Sequence, residues 1–555
     1  MINTEPHDRH RAFNYAHWAF IIPLLFVLAL FIGYFIVLLV YSKALLRFPF
    51  DYDQGEGFEL YDAIRLLRGQ GIYLNDSVFP FYSSNYPPVY RLILVPFVAI
   101  LGPHIWVGRL VTLGCTLLLS GLITYAAYRQ MSGEPALAST TMLRIVRPIV
   151  AVIAGLAFLA ANYVYEIAPL ARAHLPMVMF AFAGILCLSI AFESNNKAHT
   201  KLVAGGIALL VLAGFTKLQA IDALAAGFGF LLIRKARWGL IALGTSAVIT
   251  AVIVIALNVL TGGQFWLNVV LANVNEYDIQ QTWQTYGQWL HLEGALIACS
   301  IGYVLWDLVL AVRARTIHRI TVWSYYFVAG SAMGMLTGKW GAGPTYLIAA
   351  IAAACVCTIG LLWRAATALL RVRRSNRLGE ALSLLCAVAF VVQAAQNVHL
   401  PTSGRLFGIL ARVIGVAGQS SYTPYPYYDA VGYTQLGHLL DPADTADGWE
   451  LVHIAQAAKG PVWSEEAMLT LLAGKDVVTN PTQLYNLSKA GLLDTSQMIS
   501  MIRAEAFGAV IFRAQFYPQD VLIAIGQHYH WVRAVRMNGF DYQVLYPNGK
   551  ADVNK

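Results

Sequence analysis

The tract Phe50-Asp-Tyr-Asp-Gln-Gly-Glu-Gly57 places Asp51, Asp53 and Glu56 within six residues, directly after a long apolar stretch. Carboxylates at the edge of a low-dielectric region can act as general bases, because partial desolvation raises their affinity for a proton. The same residues can also cap a turn or face solvent. Asp51 reads either as a cap or as an active carboxylate. Glu59 and Asp62 share a helical period with Arg65 and Arg68, which predicts the solvated face of an amphipathic helix over residues 57–69. Asp53 is the preferred base, since Gly55 and Gly57 permit close backbone approach beside it.

The elements around this tract are those of a membrane. The chain has 555 residues, 58% of them hydrophobic and 12% charged, with a mean hydropathy of +0.58, outside the range of soluble domains. Crossing a bilayer core of about 30 Å takes about 20 helical residues. Apolar windows of roughly that kind lie at 18–44, 105–128, 148–166, 175–192, 201–215, 219–233, 238–260, 294–312, 321–337, 345–363 and 379–397. These predict about eleven spans, the first a retained span and not a cleaved signal. Basic residues fall in every second gap, among them Arg9, Arg129, Arg144, Lys201, Arg234, Arg313 and Arg371, whereas 261–293 has neither Lys nor Arg. By the positive-inside rule the basic gaps are cytoplasmic, and the carboxylate tract and the carboxyl-terminal stretch lie outside. The net charge of +8 then reflects loops facing anionic lipid, with no nucleic-acid partner.

Beyond the last window the composition changes. Residues 401–440 read as a linker, Pro- and Tyr-rich at Tyr422-Thr-Pro-Tyr-Pro-Tyr-Tyr428, after a transmembrane part at 1–400. Residues 441–555 read as a small α/β domain, with short apolar runs such as Asp476-Val-Val478 and Ala509-Val-Ile-Phe512 and helical patterns near 481–490 and 495–505. Its Trp449, Trp463 and Trp531 could stack on sugars or anchor at the interface. All six cysteines fall in predicted spans, and Cys355-Val-Cys357 has the spacing of helix packing, not of a metal pair.

On the outer face the polar residues form a coherent set. The second outer loop carries Glu166, Arg172 and His174, the fifth span ends at Thr216-Lys217, and the ninth ends at Gly338-Lys-Trp-Gly341. The loop 261–293 adds Asn273, Asn275, Glu276 and Asp278. Lys217 and Lys339 run against the positive-inside bias. One such lysine can simply snorkel. Two, together with Arg172, on the carboxylate face point to an anionic ligand at the membrane boundary, such as a polyprenyl-linked phosphate.

In this order the residues resemble those of the membrane glycosyltransferases of the GT-C fold, which include protein mannosyltransferases and lipid A aminoarabinose transferases. Asp53 matches an acidic base in the first outer loop, and Gly69-Gln-Gly-Ile-Tyr73 a Gly-x-x-x-Tyr turn. Tyr86-Pro-Pro-Val-Tyr90 and Gly108-Arg109 match a Pro-Pro segment and a span-opening Arg. Arg172-Ala-His174 aligns with Arg-x-Asp, Thr216-Lys217 with Thr-Lys, and Gly338-Lys-Trp-Gly-Ala342 with Gly-Lys-x-Gly. His174 replaces the usual acid, and Pro344-Thr345-Tyr346 stands where a related pattern has Asn-Tyr, so only Tyr346 carries over.

The resemblance covers residues 18–400, and the tail, with Gly460-Pro-Val-Trp-Ser-Glu-Glu466, is similar to the soluble domain of bacterial members. It implies a polytopic α-helical membrane protein of GT-C fold in the cytoplasmic membrane, its active site and α/β domain extracytoplasmic. The implied reaction is inverting transfer of a sugar from a polyprenyl-phosphate donor to a hydroxyl of a glycan, lipid or protein acceptor. Asp53 would be the base, with Glu56 and Asp51 in support. Arg172, His174, Lys217, Lys339 and Tyr346 would hold the donor phosphate, and Asn273, Asn275, Glu276 and Tyr86 the acceptor side. Such a reaction needs no metal in principle; for a divalent cation, Asp51, Asp53 and Glu56 suit Mg²⁺ or Ca²⁺ better than zinc. The competing classes are a glycopolymer ligase or polymerase using a lipid pyrophosphate, a secondary transporter, and an inactive relative that binds glycan.

Overall fold

A computed structural model describes residues 7–131, 141–193, 200–370, 377–397 and 442–549, together with Ile409 and Leu440. The expected linker at 401–440, apart from those two positions, lies outside the described residues.

Among the described residues, eight helices are long and apolar enough to cross a membrane. They are Trp18–Arg47, Ile105–Gln130, Met142–Ala160, His174–Phe192, Ala236–Leu260, Ile279–Arg313, Pro344–Ala368 and Leu378–Gln396. The chain is a multi-pass membrane protein. The other three expected windows are also helical, but Thr200–Thr216, Ile221–Arg234 and Val322–Met333 have only 17, 14 and 12 residues. At about 1.5 Å per residue each falls short of the hydrocarbon core. Apolar windows read the composition; they do not see the 3₁₀ turns at Leu218–Ala220 and Gly334–Gly338 that cut these segments.

Helix Pro344–Ala368 is the centre of the bundle, with 83% of its apolar window buried against 6% for Ala236–Leu260. Its small residues Ala349–Ala354 let neighbours approach closely, as small residues do between membrane helices. Cys355 and Cys357 are packed within it, as their spacing predicts.

The loop expected over 261–293 is shorter than the sequence suggested. Helix Ile279–Arg313 extends well before its apolar window and bends at Glu293, where φ is −119° and ψ 20°. The last span repairs the break. Gln396 Oε1 accepts from the Ala295 N–H at 3.0 Å, and Gln393 Nε2 donates to the Leu292 carbonyl at 3.0 Å. Backbone groups freed inside a bundle need such partners, because no water is there to take them.

Residues 442–549 form the α/β domain. Its sheet has the order β1 (Val462–Ser464), β2 (Ala509–Phe512), β4 (Phe540–Pro547), β3 (Tyr529–Met537), with β1 and β2 parallel and the rest antiparallel. The helical patterns near 481–490 and 495–505 are realised as Pro481–Lys489 and Ser496–Arg503. The run Asp476–Val478 is not a strand; only Thr479 bridges, to Phe81. The hairpin β3–β4 turns at Asn538-Gly539, both at positive φ (50° and 75°), the dipeptide such turns favour.

This domain is docked, not appended. Phe48 and Phe50 of the first loop share a buried core with Leu451, Val462 and Ile511. Phe50 also stacks edge-on against Trp449 at 5.5 Å. Trp463 is fully buried against Phe81, Phe507 and Tyr517, which removes it as a sugar platform or interfacial anchor.

Candidate active site

The first loop is fixed by a buried ion pair. Arg109, at the start of helix Ile105–Gln130, donates Nε to Glu56 Oε1 at 2.9 Å and Nη2 to Oε2 at 2.7 Å. Its remaining N–H groups go to the carbonyls of Leu45, Phe48 (2.6 Å) and Phe50 (2.8 Å), so its donors are saturated. Glu56 also accepts the backbone N–H groups of Tyr52 at 3.0 Å and Ala171 at 2.8 Å, joining the first and second outer loops. Burial works against the Glu56 charge, but Arg109 and these amides outweigh it and hold the carboxyl below its usual range. Glu56 is therefore a structural hub. The sequence offered Gly108-Arg109 as a landmark only; its signal as a partner was a cation opening a span on the carboxylate face.

Asp51 is equally committed. Its oxygens accept the N–H of Gly57 at 2.5 Å and of Met468 at 2.9 Å, the latter from the first turn of a helix in the α/β domain. Capping is what the geometry shows for Asp51. Glu59 and Asp62 depart from the solvated face expected of them. Both are buried around Arg91, at 2.7 and 3.1 Å, and Tyr82 donates its hydroxyl to Asp62 at 2.7 Å. The period of helix Glu56–Leu67 was legible, but not the segment Val89–Leu101 that covers its charged face.

Asp53 differs from its neighbours. Its Oδ2 lies 2.9 Å from Arg172 Nε. Burial pushes the Asp53 carboxyl up, opposed by Arg172 and then aided by Glu56. Such a carboxylate is a stronger base than a solvated one. Gly55 makes the contact possible, since a Cβ there would fall 1.4 Å from Arg172 Nη1.

Beyond Arg172 lies a group of cations. Lys217 Nζ is 2.8 Å from His174 Nε2 and 3.0 Å from Nδ1, and sits 4.7 Å from the centre of the Tyr86 ring. Lys217 is 6% exposed and has no carboxylate within ion-pair distance among the described residues. Burial, then Arg172 and Lys339 nearby, hold its pKa well below the usual lysine range, with Glu59 opposing. Lys339 donates to the Asn273 carbonyl at 2.7 Å. Gln219 ties the Lys217 turn to the 3₁₀ turn Pro344–Leu347, which bears half-buried Tyr346, by donating to Thr345 O at 3.1 Å.

The predicted acceptor loop is woven into this face. Asn273 donates to Asn85 O at 3.2 Å and Asn275 to Trp340 O at 3.0 Å, while the Trp340 N–H donates to Glu276 O at 2.9 Å. The amides of Asn273 and Asn275 are thus held by protein, and the Glu276 carboxylate reaches out to Lys489 at 3.8 Å on the surface. Trp340 continues to the α/β domain, with ring centres 4.8 Å from Tyr485 and 6.1 Å from Phe516.

The three carboxylates do not form a metal ligand set. Glu56 is neutralised by Arg109, Asp53 pairs with Arg172, and Asp51 holds backbone amides. Among the described residues no group of three or more His, Cys, Asp or Glu is placed to bind a metal ion. The three carboxylates that the sequence offered to a divalent cation are thus each engaged by a different partner in this structure.

No family model matches the chain, and no curated protein matches it. Solved structures do. ArnT from Cupriavidus metallidurans bound to undecaprenyl phosphate superposes with a TM-score of 0.55 at 15% identity, over 93% of this chain and 97% of that one. The chain has the GT-C fold. The apo state of the same ArnT gives a TM-score of 0.54 at 13% identity over the same shares. The apo oligosaccharyltransferase of Archaeoglobus fulgidus is similar at a TM-score of 0.45 and 12% identity, over 96% of this chain and 75% of that one. The GT-C likeness spans both the bundle and the α/β domain, so the two parts observed here belong to one architecture.

Proposed function

We propose that this protein is an inverting glycosyltransferase that moves a sugar from a polyprenyl-phosphate donor to a hydroxyl of a cell-envelope acceptor, on the outer face of the cytoplasmic membrane. The observation that carries the reading is the sequence of charges along one face. A buried carboxylate, Asp53, is paired with Arg172, and behind it stands a buried lysine, Lys217, with no carboxylate within ion-pair distance among the described residues. Burial disfavours the charged form of such a lysine, and a bound anion would restore it. The GT-C fold, seen in an ArnT bound to undecaprenyl phosphate, supports a lipid phosphate as that anion.

In the proposed reaction Asp53 takes the proton of the acceptor hydroxyl as its oxygen attacks the anomeric carbon. The bond from that carbon to the phosphate oxygen breaks, and its electron pair leaves on the phosphate. Arg172, Lys217 and Lys339 offset the charge that develops there, and His174 and Tyr346 border the same space. Attack opposite the leaving group inverts the anomeric centre. Tyr86, between Arg91 and Lys217, shapes the wall on which Asn273, Asn275 and Glu276 order the acceptor-side loop.

The test uses purified full-length protein in detergent, radiolabelled polyprenyl-phosphate sugars and envelope fractions as acceptor. Asp53→Asn is expected to lower transfer by about 10²-fold or more, the usual effect of losing a general base, while donor binding persists. Undiminished transfer would show that the base is elsewhere. A carboxyl-terminal reporter fusion tests the orientation, and an active cytoplasmic reporter would overturn it.

A further inference from the structure

Two helix ends bring a histidine and a lysine into contact. His174 opens helix His174–Glu193, and Lys217 directly follows helix Thr200–Thr216, in extended backbone at φ −158° and ψ 136°. The two helices pack with no room between them. A Cβ on Gly206 would lie 2.9 Å from the Gly184 carbonyl oxygen, and one on Gly184 would lie 2.9 Å from that of Gly206. Small residues at such a crossing let membrane helices lie close, and the ends they carry are fixed relative to each other.

Lys217 Nζ stands 2.8 Å from His174 Nε2 and 3.0 Å from Nδ1. In a neutral imidazole one ring nitrogen carries the proton and the other accepts, so Lys217 meets an acceptor whichever tautomer is present. Both side chains are buried. The acids of this face are engaged by other cations, Asp53 by Arg172 and Glu59 and Asp62 by Arg91. The charged groups around Lys217 are Arg172, Lys339 and Arg91, with Glu59 opposing them and the Tyr86 ring 4.7 Å away. His174 faces Arg172 and Gln219 besides Lys217. The pair therefore stands in a positive environment.

Two like charges in contact and out of water repel strongly, and such a pair titrates as a unit that takes its second proton reluctantly. Burial and Arg172 add to this by holding Lys217 well below the usual lysine range. A phosphate beside the pair reverses the balance, because an opposite charge favours the protonated forms.

We propose that His174 and Lys217 hold no more than one proton between them in the lipid-free protein and gain another as the donor phosphate binds, so that donor binding is coupled to proton uptake. The inference rests on the reading of this face as the donor-phosphate site. Its sign is definite: the complex holds more protons than the free protein, so affinity falls as pH rises.

The experiment is titration calorimetry of the full-length protein in detergent, in buffers of different ionisation enthalpy, between the free values of about 6.5 for a histidine and about 10.4 for a lysine. The probe is the methyl ester of undecaprenyl phosphate. Undecaprenyl phosphate itself titrates near about pH 6, whereas the diester keeps one fixed charge, so any proton taken up goes to the protein. The parent should take up about one proton per lipid, and its affinity should fall by about tenfold per pH unit where that uptake is complete. His174→Gln and His174→Asn should take up close to none and hold their affinity within about twofold over the same range. Their amide oxygen accepts from a charged Lys217 without competing for its proton. A parent that binds the diester with no proton uptake overturns the proposal, and this result needs no variant to fold. Uptake by folded amide variants equal to that of the parent overturns it as well, by placing the proton elsewhere. A parent that binds neither the diester nor undecaprenyl phosphate overturns the phosphate-site reading itself, whereas binding without uptake overturns only the coupling.

Discussion

Asp53 and Arg172 meet side-on, Oδ2 against Nε at 2.9 Å, with Arg172 Nη1 filling the space where Gly55 would carry a Cβ. This pairing orients the proposed base and depends on a missing methyl group. Gly55 has φ −93° and ψ −6°, a conformation open to alanine, so Gly55→Ala should fold and yet displace the guanidinium. Misplacing a reacting group by about 1 Å can cost about 10²-fold. Transfer should fall by about that factor with little change in melting temperature; a fully active Gly55→Ala would mean that the pairing is incidental.

Lys217→Met separates function from stability. The substitution removes a buried amine that has no carboxylate within ion-pair distance among the described residues, and an apolar side chain of similar length avoids the cost of burying it. The lipid-free variant is expected to melt no lower than the parent, while losing about 10- to 100-fold in affinity for undecaprenyl phosphate, the worth of a charge-assisted hydrogen bond. Thermal melting with and without the lipid reads both. Unchanged lipid affinity would move the phosphate site away from Lys217.

The Glu56–Arg109 pair should behave oppositely, as structure first. Removing one partner of a buried pair costs about 3–5 kcal/mol, so Arg109→Met is expected to unfold the first loop and lower the melting temperature markedly. The pH dependence has a definite sign. The folded Glu56 carboxyl lies below its free value of 4.5, so its contribution is complete above that value and fades as pH falls through the folded one. Melting between about pH 6 and pH 3 should show that loss in the parent and not in Glu56→Gln.

Asp76 predicts a pH dependence of the opposite sign. It is 1% exposed, and burial raises it to about 8, with the Asn268 side chain opposing. Asn268 also takes a hydrogen bond at 2.6 Å from Gln483 of the α/β domain, so Asp76 lies where first loop and domain join. A raised carboxyl favours the folded state while it stays protonated, and that contribution is lost as pH rises through the folded value. Stability should decline as pH rises from the free value of 3.8 to about 8 and level off above it, and Asp76→Asn should flatten the decline. An identical profile in the variant would place the titrating group elsewhere.

What the sequence alone determined follows from local composition and period. Among the described residues, apolar windows located the eight helices long enough to cross a membrane, the acidic tract and the cations at span ends marked the proposed site, and the 3.6-residue repeat placed helix Glu56–Leu67 after Asp53. The Asn538-Gly539 turn is legible in the sequence too, whereas the apolar run Asp476–Val478 forms no strand. Where these signals erred, the cause was distant contact. Glu59 and Asp62 have the pattern of a wet face until Arg91 covers it; Asp51 and Glu56 look as reactive as Asp53 until Met468 and Arg109 claim them. Met468 lies 417 residues beyond Asp51 in the chain, and no period or spacing links the two. Which carboxylate keeps a chemical role is decided by the charges and amides that the fold brings to it, since burial raises the proton affinity of all of them and only the partners tell them apart.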